Sequence, residues 1–486
     1  MLLKELLNGL DYEILTGNLE KEIKNITQSD RNIEENDIYI CVSGFKVDGH
    51  DFALSAIEKG AKAIICERPI KTDREDVSII KVEDSRCAMA KIASNYYGNP
   101  SSKLKLIGIT GTNGKTTSAF LMKDILERAG KKVGLIGTIA NYIGKKAIHT
   151  ERTTPGPIEL HELFKEMVDS KVEYCVMEVS SHSLALNRVY GLEFLCGIYT
   201  NLTRDHLDFH KTFEEYYKAK FKLFEASKNC IINIDDEYGL RVLNDLKGKN
   251  KNIVTYSIHS KSDLIGCNIK ADEKGSNFKV KSENEILEFF VDIPGEYNVY
   301  NSLGCIGASR VLNISNENIK KGLEEVTVPG RCERVGKEFN LPFEIIIDYA
   351  HTPDGLENIL KTARDFTKNR LISVFGCGGD RDKVKRPIMG KVGSKLSDIA
   401  LITSDNPRTE EPMEIIKEII NGINKENYTI IENRYEAIKE AINIAKDGDV
   451  IVIAGKGHET YQILKEETIH FDEREVVTEI LNEVKK

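Results

Sequence analysis

Residues 103–130 read KLKLIGITGTNGKTTSAFLMKDILERAG, and this stretch decides the fold. The apolar run 106–109 predicts a buried strand. Apolar residues at helical spacing after Lys115 predict a helix that ends near Gly130. Between strand and helix lies the glycine-rich turn GTNGKTT, residues 111–117. Because backbone N–H groups and a helix N-terminus together bind phosphate, the stretch predicts an ATP- or GTP-binding loop.

The side chains of this loop suggest how it binds phosphate. Lys115 would contact the terminal phosphates, and the Thr116 hydroxyl would ligate Mg²⁺. The loop is shorter than GxxxxGK[ST], because Ile109 stands where that pattern has its first glycine and the glycine here is Gly111. A glycine-rich turn without a ligand is the alternative. The flanking strand and helix favour nucleotide binding but do not identify the reaction.

Composition narrows the class of protein. A chain of 486 residues suggests about three domains. The net charge of −9 disfavours a nucleic-acid partner, and the absence of an apolar run near 18 residues disfavours membrane insertion. The ten cysteines form no CxxC pair, so we expect free thiols and a cytoplasmic protein without a zinc site. The N-terminus has no secretory signature.

Strand and helix signals alternate along most of the chain, which predicts an α/β fold with mostly parallel sheets. Turn-rich breaks at residues 98–102 and 329–330 suggest three domains. We therefore predict a small N-terminal α/β domain at 1–103, a central P-loop ATPase-type domain at 104–330 and a C-terminal Rossmann-like domain at 331–486. Residues 253–293 are expected to be richer in strands.

Two polar motifs follow predicted strands of the central region. MEVSSH places Glu178 at a strand end, where it is either an Mg²⁺ ligand or an exposed acid. TNLTRDHLDFH places His206 after the next strand, in a functional or a structural role. The helix FEEYYKAKFKLF carries Lys220 among other lysines. The residues alone do not show whether Lys220 has a function or simply belongs to a solvent-exposed lysine face of the helix.

Four polar loops follow successive strands of the C-terminal region, where open α/β sheets bind ligands. The loops are DYAHTPDGL (348–356), GCGGDRDKVKRP (376–387), SDNPRTEEP (404–412) and AGKGHETYQ (454–462). The second loop is strongly basic and predicts an anion or carboxylate pocket, since arginine binds carboxylates with two parallel hydrogen bonds. Its cations are Arg381, Lys383, Lys385 and Arg386.

These motifs together resemble the Mur ligase family, in order and across the whole chain. The matching stretches are GTNGKTT, MEVSSH, DHLDFH with YYKAK, PGEYNVYN, VPGRCERV, DYAHTPD, GCGGDRD with KRP, DNPR and AGKGHE. The resemblance implies an ATP-dependent ligase of peptidoglycan synthesis, and hence of cell shape and division. It implies addition of meso-2,6-diaminopimelate to UDP-N-acetylmuramoyl-L-alanyl-D-glutamate through an acyl phosphate, by a cytoplasmic monomer.

The resemblance also implies the ATP and metal sites. The residues matching ATP contacts are Gly111, Thr112, Asn113, Gly114, Lys115, Thr116, Thr117, Asn301, Arg331 and Asp348. Those matching Mg²⁺ ligands are Thr116, Glu178, His206 and Lys220, and the last three join Lys115 as the implied catalytic set. Lys220 matches a lysine that CO₂ converts to a carbamate, an oxygen-donor anion suited to a hard metal.

The remaining matches concern the two substrates that are joined. Those for the UDP-linked substrate are Asp30, Thr153, Thr154, Ser180 and Arg188. Those for the incoming amino acid are Arg386, Asp405, Asn406, Pro407, Arg408, Gly455 and Glu459. The form DNPR is associated with diaminopimelate, whose additional carboxylate Arg408 would bind. The chain departs from the family pattern at Ser29-Asp30-Arg31, Arg152 and Leu186.

Several alternatives remain at this point. L-Lysine or meso-lanthionine would be a different acceptor for the same ligation. The basic KRP loop, DNPR and the segment before the phosphate loop argue against a folylpolyglutamate-synthetase-like ligase. A non-catalytic nucleotide switch is a different class of protein, for which the guanine-reading Asn-Lys-x-Asp motif is missing.

Overall fold

Five strands near the N-terminus form the first sheet. The computed structural model describes residues 1–45, 47–283 and 285–484. The first elements are α1 (Leu3–Leu6), β1 (Glu13–Thr16), β2 (Ile26–Thr27), β3 (Ile38–Ile40), α2 (Ala53–Glu58), β4 (Ala63–Cys66), β5 (Ser78–Lys81) and α3 (Ser85–Tyr96). The strand order is β1-β5-β4-β3-β2, in which only β1 is antiparallel to its neighbour. Ile38 and Ile40 pack with α3 while Tyr39 packs with α2, because successive strand residues face opposite sides.

The next region alternates strands and helices, as its sequence predicted. Its first elements are β6 (Lys105–Thr110), α4 (Lys115–Arg128), β7 (Val133–Ile136), β8 (Asn141–Ile143), β9 (Lys146–Ile148), α5 (Pro157–Asp169), β10 (Tyr174–Glu178) and α6 (Ser181–Ala185). β10 pairs in parallel with both β6 and β7, and Glu178 lies opposite Ile109. Gly130 follows α4 with φ of +74°, which confirms it as the residue that ends this helix.

The strand-rich segment predicted at 253–293 is present. The elements after α6 are β11 (Phe194–Tyr199), α7 (Leu207–His210), α8 (Phe213–Glu225), β12 (Ser227–Asn233), α9 (Glu237–Asp245), β13 (Asn252–Ser257), β14 (Leu264–Asp272), β15 (Gly275–Lys281), β16 (Ile286–Val291), α10 (Glu296–Val311) and α11 (Asn316–Glu324). β14, β15 and β16 are antiparallel neighbours, whereas β13 pairs with β14 in parallel. Helices α10 and α11 both pack on α4.

The C-terminal region contains a sheet with the order β17-β18-β22-β19-β20-β21. Its elements are β17 (Glu333–Val335), β18 (Glu344–Asp348), α12 (Pro353–Phe366), β19 (Leu371–Phe375), α13 (Lys385–Leu396), β20 (Ile399–Ile402), α14 (Pro412–Ile420), β21 (Tyr428–Ile430), α15 (Arg434–Ile444), β22 (Val450–Ala454), β23 (Tyr461–Ile463), β24 (Thr468–His470) and α16 (Glu473–Val484). All neighbours except β17 and β18 are parallel. Asp348 and Phe375 both lie opposite Ala454, so the loops after these strands emerge at one edge.

Two compact units make up the chain. The first contains residues 1–110, 131–197 and 219–229, and the second contains residues 111–130, 198–218 and 230–486. The predicted domain boundaries at 103/104 and 330/331 stay predictions. In the C-terminal sheet, alternate isoleucines and valines of β18, β19 and β22 pack against α15 and α16. The ten cysteines are free thiols, and eight of them are buried. Among the described residues, none of the helices combines the length and apolar character needed to span a bilayer.

Candidate active site

The phosphate loop is held from one side by the residues that follow β11. The backbone N–H groups of Thr112 and Asn113 donate to the carbonyl and side-chain oxygens of Asn201, each over 2.9 Å. The Thr200 hydroxyl donates to the Asn113 carbonyl over 2.7 Å. These bonds fix the conformation of the turn. The backbone N–H groups at the N-terminus of α4 are the part of this loop that is suited to binding an anion.

Two glycines of the loop are required by close packing. A Cβ atom on Gly111 would lie 1.8 Å from the Thr200 hydroxyl oxygen. A Cβ atom on Gly114 would lie 2.3 Å from Asn301 Oδ1, and its φ of +86° is unfavourable for other residues. The two packing partners, Thr200 and Asn301, therefore set the shape of the turn.

The predicted ATP residues lie close together in the second unit. Lys115 Nζ donates to the carbonyls of Gly111 and Thr112, each over 2.9 Å. Arg331 Nη2 donates to the Thr116 hydroxyl over 3.1 Å, and its guanidinium lies 4.7 Å from the centre of the Tyr349 ring. These contacts bring a lysine, an arginine and a hydroxyl to the helix N-terminus, a combination suited to a polyphosphate.

Asp348 lies at the same place, at the end of β18. Its Oδ2 accepts from the Cys332 N–H over 2.7 Å. Burial raises the pKa of Asp348, an effect that the Arg331 guanidinium opposes. A small cavity is lined by the loop together with Thr117, Asn301, Arg331 and Asp348. The structure thus brings these side chains to one cavity, and their binding of ATP stays a prediction.

A larger cleft of about 610 Å³ also opens onto the loop. It is lined by Asn113, Gly114 and Asn301 together with Asp354, a residue that the sequence did not single out. Asn113 Nδ2 donates to Asp354 Oδ2 over 2.6 Å. The only sequence signal for Asp354 was its place at the end of the DYAHTPD motif.

A third cavity, of about 220 Å³, lies where the C-terminal strands end. It is lined by five of the residues predicted to bind the amino acid, namely Asp405, Asn406, Arg408, Gly455 and Glu459. Arg408 has a φ of +54°, and its Nη1 donates to the Gly379 carbonyl over 2.9 Å. Burial lowers the pKa of Arg408, and the nearby Arg381 guanidinium lowers it further. Repulsion of the Arg408 charge by Arg381 favours binding of a carboxylate beside Arg408.

The two remaining predicted amino-acid contacts lie elsewhere. Arg386 and Pro407 are not among the described residues that line this cavity. Arg386 is fully buried at the start of α13, where its guanidinium donates to Glu410 and Glu418 over 2.8 to 2.9 Å. Arg381, from the same basic loop, lines the cavity instead. Of these two arginines, only Arg381 is among the described residues that line the cavity, and the guanidinium of Arg386 is paired with acids, so binding of an amino acid by Arg386 stays a prediction.

His206 lines the same cavity from the segment before α7. It has a φ of +54°, and its Nε2 lies 3.3 Å from Asp205 Oδ2. Burial would raise the pKa of Asp205, but His206, His351 and Lys385 together hold it below its usual value. His206 thus shares with Arg408 a left-handed backbone conformation that is uncommon for non-glycine residues, and both line this cavity.

In the first unit, Glu178 is a buried and fixed carboxylate. Its side chain accepts from the Thr138 N–H over 2.9 Å and from the Thr138 hydroxyl over 3.0 Å. The Thr153 hydroxyl lies 3.0 Å from that of Thr138. Glu178 is 1% exposed, so the alternative of a solvent-exposed strand-end acid is excluded.

Three more residues predicted to bind the UDP-linked substrate, Thr154, Ser180 and Arg188, lie together. The Thr154 hydroxyl donates to the Glu178 carbonyl over 2.8 Å and accepts from the Ser180 N–H over 3.1 Å. Arg188 Nη1 donates to the Thr154 carbonyl over 3.0 Å. Burial lowers the pKa of Arg188 to about 10, and the guanidinium of Arg152 adds to this effect. The cluster thus concentrates positive charge, as an anionic ligand requires.

The two other predicted residues of the first unit have different surroundings. Lys220, in α8, is 2% exposed. It therefore does not belong to a solvent-exposed lysine face of this helix. Asp30 begins a short 3₁₀ helix, and its carboxylate lies 3.3 Å from Lys59 Nζ. Asp30 is therefore already paired with a cation at the surface.

A glycine-rich phosphate loop and a charged cavity at the strand ends, in one α/β unit, define a nucleotide-dependent enzyme of the P-loop type. The chain belongs to the Mur ligase family. Family models match residues 22–97 (Mur ligase family, catalytic domain), 109–309 (Mur ligase middle domain) and 330–457 (Mur ligase, glutamate ligase domain).

Individual relatives match over their full length. The UDP-N-acetylmuramoyl-L-alanyl-D-glutamate--2,6-diaminopimelate ligase of Clostridium perfringens (strain 13 / Type A) is 64% identical over 483 residues, 99% of each chain. The protein of the same name from Clostridium tetani (strain Massachusetts / E88) is 58% identical over 487 residues, 100% of each. A solved structure of a ligase with this name is 27% identical, with a TM-score of 0.71 over 100% of this chain and 99% of the other.

Proposed function

We propose that this protein is an ATP-dependent ligase that joins meso-2,6-diaminopimelate to UDP-N-acetylmuramoyl-L-alanyl-D-glutamate. The observation that carries the proposal is the acceptor cavity, in which Arg381 and Arg408 lie with Glu459 and Asp405. An amino acid whose far end carries both a carboxylate and an ammonium group matches these charges. Relatives that are 64% and 58% identical are named for this reaction.

The first step activates a carboxylate. An oxygen of the free side-chain carboxylate of D-glutamate attacks the γ-phosphorus of ATP, the bond from that phosphorus to the β-phosphate oxygen breaks, and an acyl phosphate and ADP form. Lys115 and Arg331 would donate to the phosphate oxygens as negative charge shifts toward ADP. The loop contributes mainly by holding ATP in line with the carboxylate.

Mg²⁺, when bound, would neutralise charge on the transferring phosphates. Two of the predicted ligands, the Thr116 hydroxyl and the Glu178 carboxylate, are oxygen donors suited to this ion. Glu178 fits because its carboxylate is buried and both of its oxygens are oriented by Thr138. His206 and a CO₂-derived carbamate on Lys220 complete the predicted set. In the part of the chain that the structure describes, no three His, Cys, Asp or Glu side chains form a metal site alone.

The second step forms the amide. The acceptor amine attacks the acyl carbon, the resulting tetrahedral intermediate expels phosphate, and the nitrogen loses a proton. The cavity residues bind the far end of the acceptor, which leaves the reacting amine free to approach the acyl phosphate. We assign the carboxylate of that far end to Arg381 and Arg408, and its ammonium group to Glu459.

The other predictions extend this function to the rest of the chain. Asp30, Thr153, Thr154, Ser180 and Arg188 are proposed to bind the UDP-linked substrate. Residues 1–103, 104–330 and 331–486 are proposed as its UDP-substrate, ATP and amino-acid domains. We also propose a cytoplasmic monomer that supplies peptidoglycan precursor and so supports cell shape and division.

The test is release of phosphate from ATP by the purified protein with UDP-N-acetylmuramoyl-L-alanyl-D-glutamate and Mg²⁺. We expect release only when an acceptor is added, and far more with meso-diaminopimelate than with L-lysine. Omission of the UDP-linked substrate should abolish it. Preference for L-lysine would contradict the assigned acceptor, and release without any acceptor or UDP-linked substrate would contradict the ligation.

A further inference from the structure

A buried cation lies directly behind the acceptor cavity. Lys456, in the loop after β22, is 0% exposed, and none of the roles assigned above uses it. Its Nζ lies 3.1 Å from Asn406 Oδ1 and 3.0 Å from Glu459 Oε2. We propose that Lys456 is a positioning residue, which orients Glu459 and Asn406 so that the cavity binds the ammonium group at the far end of the acceptor. This inference rests on the proposed function.

The orientation of the Asn406 amide follows from its donors. Asn406 Oδ1 accepts from Lys456 Nζ and also from the Ile463 N–H over 2.9 Å. Because the amide oxygen accepts from both of these donors, the amide nitrogen of Asn406 is on the opposite side, and it donates to Glu459 Oε2 over 2.8 Å. An ammonium group can only donate, so Lys456 excludes the flipped amide.

The same contacts determine which carboxylate oxygen of Glu459 can accept a hydrogen bond from a ligand. Oε2 accepts from both Lys456 and Asn406, and the side chain is 12% exposed. Within the described residues, no protein group donates to Oε1 of Glu459. Because Glu459 lines the cavity, Oε1 is the oxygen that an acceptor ammonium would meet.

The charge of Lys456 is as important as its hydrogen bonds. Glu459 and Asp405 are two acids lining one cavity. Burial alone would raise the pKa of Asp405, but Lys456 and then Arg434 hold it below its usual value. Removing Lys456 would therefore raise the pKa of Asp405, and the cavity would lose attraction for a cation.

The decisive experiment compares Lys456→Met with the unaltered enzyme on two acceptors. One is meso-diaminopimelate, and the other is 2-aminopimelate, which keeps the second carboxylate but lacks the second amine. We expect kcat/KM for diaminopimelate to fall about 10- to 100-fold, mainly through KM, because a charge-assisted contact is lost. We expect a change below about threefold for 2-aminopimelate, which never made that contact.

A control variant and an ATP measurement separate positioning from general damage. Lys465→Met alters an exposed cation, paired with Glu411, to which no role in binding is assigned, and it should leave the ratio between the two acceptors within about twofold. The KM for ATP should be unchanged in Lys456→Met. If this variant does not fold, Lys456→Gln, which keeps a donor without the charge, is judged by the same ratio.

Two results would overturn the inference. One is an equal loss with both acceptors, which would mean that Lys456 only holds the loop together. The other is an unchanged kcat/KM for diaminopimelate in a folded variant. Failure of the proposed function is distinguishable from both, because the unaltered enzyme would then show no ligation with diaminopimelate.

Discussion

Asn113 in the phosphate loop donates its side-chain amide to Asp354 at the start of α12, over 2.6 Å. Both residues line the large cleft. The loop is thus held from two directions, by Asn201 on its backbone and by Asp354 on its side chain. A contact made only through side chains can be removed without changing the backbone of the loop.

Asp354→Ala should weaken ATP binding. The change leaves the Asn113 amide without its acceptor, at a cost of about 1–3 kcal/mol, or about 5- to 150-fold in the KM for ATP. Asp354→Asn is the matched control, since its side-chain oxygen can still accept this bond, and it should recover most of the loss. Steady-state kinetics with ATP as the varied substrate check this. Equal KM values for all three proteins would contradict a role for the contact.

Gly114→Ala should damage the phosphate loop far more than its size suggests. The new Cβ would clash with Asn301 Oδ1, and φ is +86°. Because a displacement of about 1 Å can cost about 100-fold in rate, we expect kcat/KM for ATP to fall at least tenfold. Gly130→Ala has a similar φ of +74°, but no described atom lies within 4 Å of its Cβ. That control should lose about 1 kcal/mol of stability and keep its ATP kinetics.

Arg381 and Arg386 should respond differently to the same substitution. Arg381→Met removes a cation from the cavity wall and should raise the KM for diaminopimelate about 10- to 100-fold with an unchanged melting temperature. Arg386→Met leaves the partly exposed Glu410 and Glu418 without their buried partner and should cost about 1–3 kcal/mol of stability. Acceptor kinetics and thermal unfolding of both variants check this. An acceptor-specific KM defect confined to Arg386→Met would reverse the assignment.

Asp124 in α4 should make stability depend on pH. Its side chain is 25% exposed, and burial raises its pKa to about 6 from 3.8. The folded state therefore binds this proton more tightly than the unfolded state, so stability falls as pH rises from about 4 to about 6. Asp124→Asn removes this loss.

The gain from Asp124→Asn should be about 1–3 kcal/mol at pH 7.5, smaller at pH 5 and absent near pH 4. Calorimetric unfolding of both proteins at pH 7.5 and pH 5 measures it. Asp73→Asn, at an exposed position, is the control and should show no such trend. A gain that grows toward acid pH would contradict the direction of the shift.

The parts of this molecule that the sequence predicted are those that depend on local pattern. The strand, glycine turn and helix around Lys115 are encoded within residues 103–130, and the loops 348–356 and 454–462 follow recognisable apolar strands. The mostly parallel sheets follow from the alternation of strand and helix signals. These predictions needed no knowledge of distant contacts.

The parts that were missed depend on burial and on long-range pairing. Arg381 and Arg386 lie in one basic run, and only the fold places Arg386 inside α13 with Glu410 and leaves Arg381 at the cavity. Lys456 is a buried lysine, which is rare and leaves no mark in the sequence. Asp354 meets Asn113 across 241 positions of the chain, a separation beyond any local pattern.

The most direct measurement is a competition between acceptors. The protein is incubated with ATP, Mg²⁺, UDP-N-acetylmuramoyl-L-alanyl-D-glutamate and equal concentrations of meso-diaminopimelate and L-lysine, and the UDP-linked product is identified by its mass. We predict the diaminopimelate adduct almost alone, formed with one ADP per product. A predominant lysine adduct, or no adduct with either acceptor, would contradict the central claim.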